Sequence, residues 1–487
     1  MPYRIFLLLL VAMFMFACDS GTEESNKHTI QGTVTLEGNT SNAGATVALY
    51  MAKDIDEALQ EQHAAHPGVG AQMPLAQTFD HRLEVPVETV LTEASGAFTF
   101  SGLASGKYNV VVWKDGYGCR YLLDLEAGSV DVGTVPLYAE TILPGSITTP
   151  TTLLADHHYI VQSNCTLSGA ALTIEKGAWI RLNGNASMLL QSGSLTIAAG
   201  SGDVFHVTSN SEFSNHSLEV NDIDQYGSFS VDTGVAVSGG ILGYGHFSFG
   251  GYGLRVQRSG LIVENCLFDY CDNGLLAMMI DTITLRHITG RNNTFSETGA
   301  IVLSDVADGL VSHCLLYGNL QGVFIKPNFV GTVENSIFVD NHIGMYLQQA
   351  VGTVQYCDFA GNTTTGLQLT GSFSSSSLGR EGLTIQNNIF RSPTSITGMY
   401  VAYFSTWNPI TIQKNNFYSS DWFIYLTDRF FDSRTLVASE NYWDGLDYEE
   451  EVQERIRDAA EGIQVANVQV TNIEPGPYNS SHAGVQD

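Results

Sequence analysis

Four charged residues in the second half of the chain have the types needed for β-elimination on a uronic acid. Arg286 and Lys326 are candidate bases, and Asp305 and Glu334 are carboxylates set among them, with Asp308 nearby. Solvated turn charges account for the same residues. Asn221-Asp-Ile-Asp224 hints at calcium but lacks the spacing and the distal glutamate of an EF-hand loop. His157-His158 has no metal-helix pattern, and no nucleophile elbow or phosphate loop occurs. No cofactor and no metal centre is expected, Ca²⁺ being the one ion with any support.

A second chemistry comes from aromatic rings at a repeated position. Gly274-Leu-Leu-Ala, Gly299-Ala-Ile-Val, Gly322-Val-Phe-Ile, Gly344-Met-Tyr-Leu, Gly366-Leu-Gln-Leu and Gly398-Met-Tyr-Val share one frame. The first and third residues after the glycine are nearly all aliphatic and point inward, Val302 being counted with them, so the second points out. That gives an outward column of Leu276, Ile301, Phe324, Tyr346, Gln368 and Tyr400, with Tyr425 extending it. Rings about 4.8 Å apart offer sugar-stacking faces and phenol hydroxyls, unless another part of the protein covers them.

The elements that would position these residues are repeats. The phrase Val263-Glu-Asn-Cys-Leu-Phe268 returns as Val311–Leu316, Val333–Phe338, Val354–Phe359, Ile385–Phe390, Ile412–Phe417 and Val437–Tyr442, with a weaker copy at Leu285. Starts 21 to 31 residues apart, without helical phase, mean a coil of β-strands. Cys266, Cys314 and Cys357 share a column with one rung between each pair. Two rungs span about 9.6 Å, beyond disulfide reach, so these cysteines are small fillers. Cys266 and Cys271 share a rung, which leaves pairing between them open.

These residues resemble the right-handed parallel β-helix superfamily, which includes pectate lyases and many bacterial surface proteins. The resemblance covers 150–446 and extends to Asn441-Tyr-Trp-Asp-Gly445, similar to the ending of many members. Residues 447–487 follow as a capping helix, Asp447 to Glu461 with Val452 and Ile456 inward, and a tail. Lyases of this superfamily use clustered carboxylates for Ca²⁺ and an Arg or Lys base, but no lyase or polygalacturonase motif surrounds Arg286 or Lys326.

Residues 28–140 alternate in short strands broken by Ser95-Gly96, Ser105-Gly106 and Asp115-Gly116. The segment Ser95 to Tyr108, followed by Trp113-Lys-Asp-Gly116, resembles the carboxypeptidase regulatory-like (transthyretin-like) β-sandwich, with Phe98, Phe100 and Tyr108 as inward anchors. Residues 51–89 are a long insertion carrying a helix from Lys53 to Ala65. The resemblance implies a spacer or binding accessory and no reaction.

The chain opens with Arg4, an apolar run from Ile5 to Phe16, and Ala17-Cys18. Twelve apolar residues are too few to span a bilayer. Residues 1–17 resemble a bacterial lipoprotein signal, which implies lipidation of Cys18, and 18–27 form an acidic disordered tether. Among 487 residues, 50 acids against 21 bases, a net charge of −29, exclude a nucleic-acid partner. The fold expectation is all-β: sandwich, then right-handed parallel β-helix, then a short capping helix. The expected function is a lipid-anchored outer-membrane or cell-surface protein that contacts glycans or surface components without catalysis. A polysaccharide lyase or hydrolase, and a purely structural surface protein, are the alternatives.

Overall fold

The structure, a computed structural model, describes residues 28–53, 57–294, 299–370, 382–391, 397–402, 410–418, 421–426, 435–458, 467–479 and 483–486. Cys18 and the tether lie outside them. The chain divides into two compact units.

The first unit comprises residues 28–52, 86–112 and 121–136 and holds seven strands in two sheets. In one, Ala97–Leu103 and Ser129–Leu137 flank His28–Leu36. In the other, the order is Glu88–Leu91, Thr46–Met51, Lys107–Trp113, Arg120–Glu126. Alternation does the sorting: Ile30, Val34, Phe98 and Phe100 are buried while their neighbours are not. Gly96 is obligatory at its turn, since φ is +80° and a Cβ would lie 2.0 Å from the Val34 carbonyl. Phe98, Phe100 and Tyr108 are the inward anchors the sequence suggests.

The second unit takes residues 53–85, 113–120 and everything from 137 onward. Its body is an all-parallel β-solenoid of about 10 turns between residues 151 and 443. Each rung contributes to three sheets. Face C contains strands such as Gln321–Ile325 and Ile343–Gln348, face A Val330–Glu334 and Val351–Gln355, and face B Ile337–Val339 and Asp358–Ala360.

The repeated phrase spells the corner between A and B. In Val263 to Phe268, Val263 points in, Asn265 turns the corner with φ +52°, Cys266 fills the interior, and Phe268 points in. Seven further rungs turn at the same place, His287, His313, Asn335, Tyr356, Asn387, Lys414 and Glu440, with φ between 47° and 57°. The residue after each corner is buried and, where polar, stacks on its neighbour. Asn388 donates to Asn415 Oδ1, and Asn415 to Asn441 Oδ1, both at 3.0 Å. A second ladder lines the B–C corner: Asn293, Asn319, Asn341 and Asn362, linked at 2.9, 2.9 and 3.1 Å. Each Oδ1 also accepts the backbone N–H of the preceding rung. Between the ladders run stacked rings, Phe338, Phe359, Phe390, Phe417 and Trp443, with centroids 4.6–4.9 Å apart.

Three boundaries differ from the sequence expectation. Strands Thr141–Ile142 and Ser146–Ile147 already pair with the first rung, ahead of residue 150. The helix after Asp447 spans only Glu449–Gln453. Ile456–Arg457 then pairs with Ile424–Tyr425, and Asn467–Thr471 with Thr435–Ser439. The open backbone edge of the last rung is satisfied by further strand pairing rather than by a long helix. Val452 and Ile456 are buried as expected, while Ala459 to Glu461 lie outside the described residues.

The third difference is the stretch 53–85, which packs on the solenoid. Leu59 in the helix Glu57–Ala65 and Val69 after it cover outward-facing Leu315 and Ile337 of face B, and Ala71 and Met73 cover Leu267. Gly70 donates to the His313 carbonyl at 2.8 Å and has no room for a Cβ. Further on, fully buried Arg82 pairs with Asp80 at 2.7 Å. It also donates to Thr208 Oγ1 and the Ser209 carbonyl at 2.9 and 3.0 Å. Burial works against the Asp80 charge, but the Arg82 guanidinium outweighs it and holds the carboxyl at about 2. Burial pushes His81 down to about 4 against the pull of Asp80. Below it His158, Trp179 and His206 stack along face B, and burial holds both histidines well below their ordinary range.

Two outcomes follow. Asn341→Ala orphans the buried Asn319 N–H and Leu316 carbonyl and should cost at least about 2 kcal/mol in urea unfolding; wild-type stability would contradict the ladder's role. Because His81 is held neutral, its stabilising contribution is complete above about pH 6.5 and is lost as pH falls towards 4. Melting temperatures from pH 7.5 to 4.5 should therefore fall, and His81→Gln should flatten the slope; an equal slope in both proteins contradicts the assignment.

Candidate functional site

The outward column on face C is set by strand register. Phe324 stands opposite Tyr346, Tyr346 opposite Gln368, Gln368 opposite Tyr400, and Tyr400 opposite Tyr425. One member requires correction. Leu276 pairs with Val302, and Val302 with Phe324, so Val302 is the outward residue, whereas Ile301 belongs to the solenoid core. The cause is the small pair Gly299-Ala300. Ala300, whose carbonyl faces Gly274, holds the place that glycine fills in other rungs, and Gly299 lies one residue earlier.

The column has two halves. Leu276, Val302 and Phe324 are buried and form their own apolar cluster, with Met278 and Tyr346 against it. Tyr346, Gln368, Tyr400 and Tyr425 are half-buried. Phe324 and Tyr346 stack at 4.9 Å and 4°, and Tyr400 and Tyr425 at 5.5 Å and 20°. Gln368 separates the two pairs. Tyr346 and Tyr400 therefore stand two rungs apart, about 9.6 Å, with an amide between them. Gln348 and Thr370 each donate to the Tyr346 hydroxyl at 2.9 Å and fix that ring.

Cations flank the column. Lys326 Nζ lies 5.3 Å from the Phe324 centroid, and the Arg457 guanidinium 4.8 Å from that of Tyr425. Arg255 precedes Leu276 in register. From Arg255 to Arg457 the column contains no carboxylate, nor do its neighbours Met278, Ser304, Lys326, Gln348 and Thr370. Arg457 was not legible as a member, because no glycine strand precedes it; Arg255 was missed although Gly253-Leu-Arg-Val256 repeats the glycine frame one rung before Gly274.

The four residues considered for β-elimination do not converge. Lys326 and Asp305 flank the turn from C to A, where Asp305 is exposed and accepts from Asn328 Nδ2 at 2.7 Å and Ser304 Oγ at 3.0 Å. Arg286 and Glu334 lie in one outward column of face A, separated by Ser312. Arg286 is paired with Glu264 at 2.5 Å, and Glu334 accepts from Gln355 at 2.8 Å. Glu334 is four residues beyond Val330, about 13 Å of strand from the turn that carries Lys326.

Cys266 and Cys271 occupy different corners and are free thiols, each pushed up to about 12 by burial. Cys119, Cys165, Cys314 and Cys357 are likewise buried and in no disulfide. His158 donates from Nε2 to the Cys119 carbonyl at 3.0 Å and stacks on Trp179, while His157 stacks on Tyr138 at 4.0 Å. Asp222 caps the backbone N–H of Glu219. Among the described residues no three His, Cys, Asp or Glu side chains gather as a metal site.

The two halves of the column should respond differently to truncation. Phe324→Ala removes a buried ring and should cost about 3 kcal/mol in chemical unfolding, whereas Tyr425→Ala should cost less than half of that. Equal losses would contradict the division.

No curated protein matches the chain. Residues 241–380 and 286–435 match the family described as right handed beta helix region, so the part of the chain bearing the column is a right-handed parallel β-helix, a domain found in surface proteins and in polysaccharide-acting enzymes.

Proposed function

We propose that the protein is a non-catalytic, glycan-binding surface protein, tethered to the outer membrane through lipid on Cys18. The observation that carries this reading is the gap on face C: Tyr346 and Tyr400 flank Gln368, about 9.6 Å apart. A sugar ring needs roughly 3.5–4 Å to each aromatic face, which such a gap provides. Gln368 offers both a donor and acceptor to ring hydroxyls. Tyr425 lies one rung further along, close to the rise of one sugar unit in an extended glycan. The carboxylate-free surround, with Lys326 and Arg457 at its ends, admits neutral and acidic chains alike despite the net charge of −29. The transthyretin-like unit serves as a spacer in this reading.

Affinity electrophoresis of the chain from Asp19 onward, in gels containing neutral or acidic polysaccharides, tests the proposal. At least one polysaccharide should retard the protein, and Tyr400→Ala should weaken retention about tenfold, the equivalent of roughly 1.4 kcal/mol for one stacking ring. Retention unaffected by Tyr400→Ala would refute the site. Ultraviolet absorbance from unsaturated sugar, abolished by Lys326→Ala, would replace the reading with a lyase.

A further inference from the structure

Over the first rungs, face B is closed by two segments that bind each other. The Leu218 N–H donates to the Arg82 carbonyl at 2.8 Å and the Ser217 N–H to the Glu84 carbonyl at 3.1 Å, so residues 80–84 and 211–218 form one lid. Phe213 joins the lid to the sheet. Its ring lies 5.5 Å from that of His81 and 5.8 Å from those of His158 and Trp179. The Arg82 and Arg181 guanidiniums lie 5.1 and 3.8 Å from its centroid. Beneath the lid, strand register places His158, Trp179, His206 and His246 in one outward column.

The contacts suit neutral imidazoles. His158 donates from Nε2 to the Cys119 carbonyl at 3.0 Å, and its Nδ1 accepts from an Arg181 guanidinium N–H at 3.4 Å. A second proton on His158 sets N–H against N–H and cation against cation. His81 donates from Nε2 to the Phe213 carbonyl at 3.0 Å, with its Nδ1 3.9 Å from Asp80. The carboxylates around the column already answer guanidiniums: Asp80 pairs with Arg82, Glu140 with Arg181, Asp156 with Arg120 and Asp269 with Arg291. His246 Nε2 stands 3.7 Å from Asp269. The lid adds Glu212, bonded to Asn215, and His216, 6.4 Å from Trp113. A proton added to His158 or His206 is therefore a buried charge beside carboxylates that are already paired. Burial holds both imidazoles well below their ordinary range, and His81 at about 4.

We propose that this cluster is an acid-operated latch: protonation of the imidazoles under the lid lifts residues 80–84 and 211–218 off face B while the coil stays wound. The apolar core of the coil consists of aliphatic, aromatic and thiol side chains, none of which changes charge between pH 4 and 7. The corner ladders are amides and do not titrate either. The lid, by contrast, reaches face B through Arg82, bonded to Thr208 Oγ1 and the Ser209 carbonyl, and through Phe213 against Arg181 and His158. Imidazoles held neutral in the fold contribute fully above about pH 6.5, and that contribution is lost as pH falls towards 4. The latch is shut at neutral pH and opens in acid, independently of the face C reading.

Hydrogen–deuterium exchange of the chain from Asp19 onward, read by mass spectrometry with labelling times scaled for the intrinsic effect of pH, tests the latch. Between pH 7.5 and 4.5, peptides covering 80–84 and 211–218 should lose about tenfold or more in protection. Peptides covering Val330–Glu334 and Val351–Gln355 should keep theirs. His158→Gln, whose amide can donate to the Cys119 carbonyl and accept from Arg181 without titrating, should move the opening to lower pH. If that variant does not fold, His206→Asn supplies the same comparison. Full lid protection at pH 4.5, loss of protection in lid and coil together, or the same opening midpoint in the wild type and the folded variant would overturn the proposal.

Discussion

The constraint on which the solenoid depends is the buried backbone at its corners. A rung that turns sharply leaves N–H and C=O groups inside a closed coil, away from water and outside the strand ladders. The chain answers with a left-handed residue followed by an inward side chain that accepts the stranded N–H of the neighbouring rung. Where that side chain is asparagine, its amide also reaches the next asparagine, so neighbouring rungs fix one another. Serine does part of this at position 336, donating to the Glu334 carbonyl while accepting from Cys314 N–H. Cysteine fills the same space at 266, 314 and 357, where its high thiol pKa keeps it neutral.

Fixed corners fix the faces. With both bends of a rung pinned, the strand between them has one register, and its second residue after the glycine column must point outward. Stacking at rung spacing then follows inside face B, from Phe338 to Trp443, and outside face C, in the pairs Phe324–Tyr346 and Tyr400–Tyr425. Face B is closed differently, by residues 53–85 and by Val485 near the C-terminus, which cover its outward aliphatic positions. Among the described residues the outward column of face C retains half-buried rings and no carboxylate, and for that reason carries the functional proposal.

Much of this was legible in the sequence, because the corner phrase binds residue type to geometry. Asn265 and Asn335 announce the bend, Cys266 and Asn415 the inward polar step, and Phe268 and Phe390 the core. Where two residues fit one slot, the pattern lost resolution. Gly299-Ala300-Ile301-Val302 satisfies the glycine frame in two registers, and the true one is set by the rung below. Residues 53–85 read as an insertion with a short helix, and their docking on the solenoid was missed; the available signal was aliphatic residues such as Leu267 and Leu315 at outward positions. The cap was misjudged in length because Val452 and Ile456 fit a helix face equally well as a short helix followed by a strand.

The account is most directly tested by a crystal structure of the protein with a bound oligosaccharide drawn from whichever polysaccharide retards it. It predicts electron density for a sugar ring between Tyr346 and Tyr400, hydrogen-bonded to Gln368, with the glycan running along the solenoid axis past Tyr425. Density confined to other surfaces, or the protein's own chain filling the space above Gln368, would contradict it.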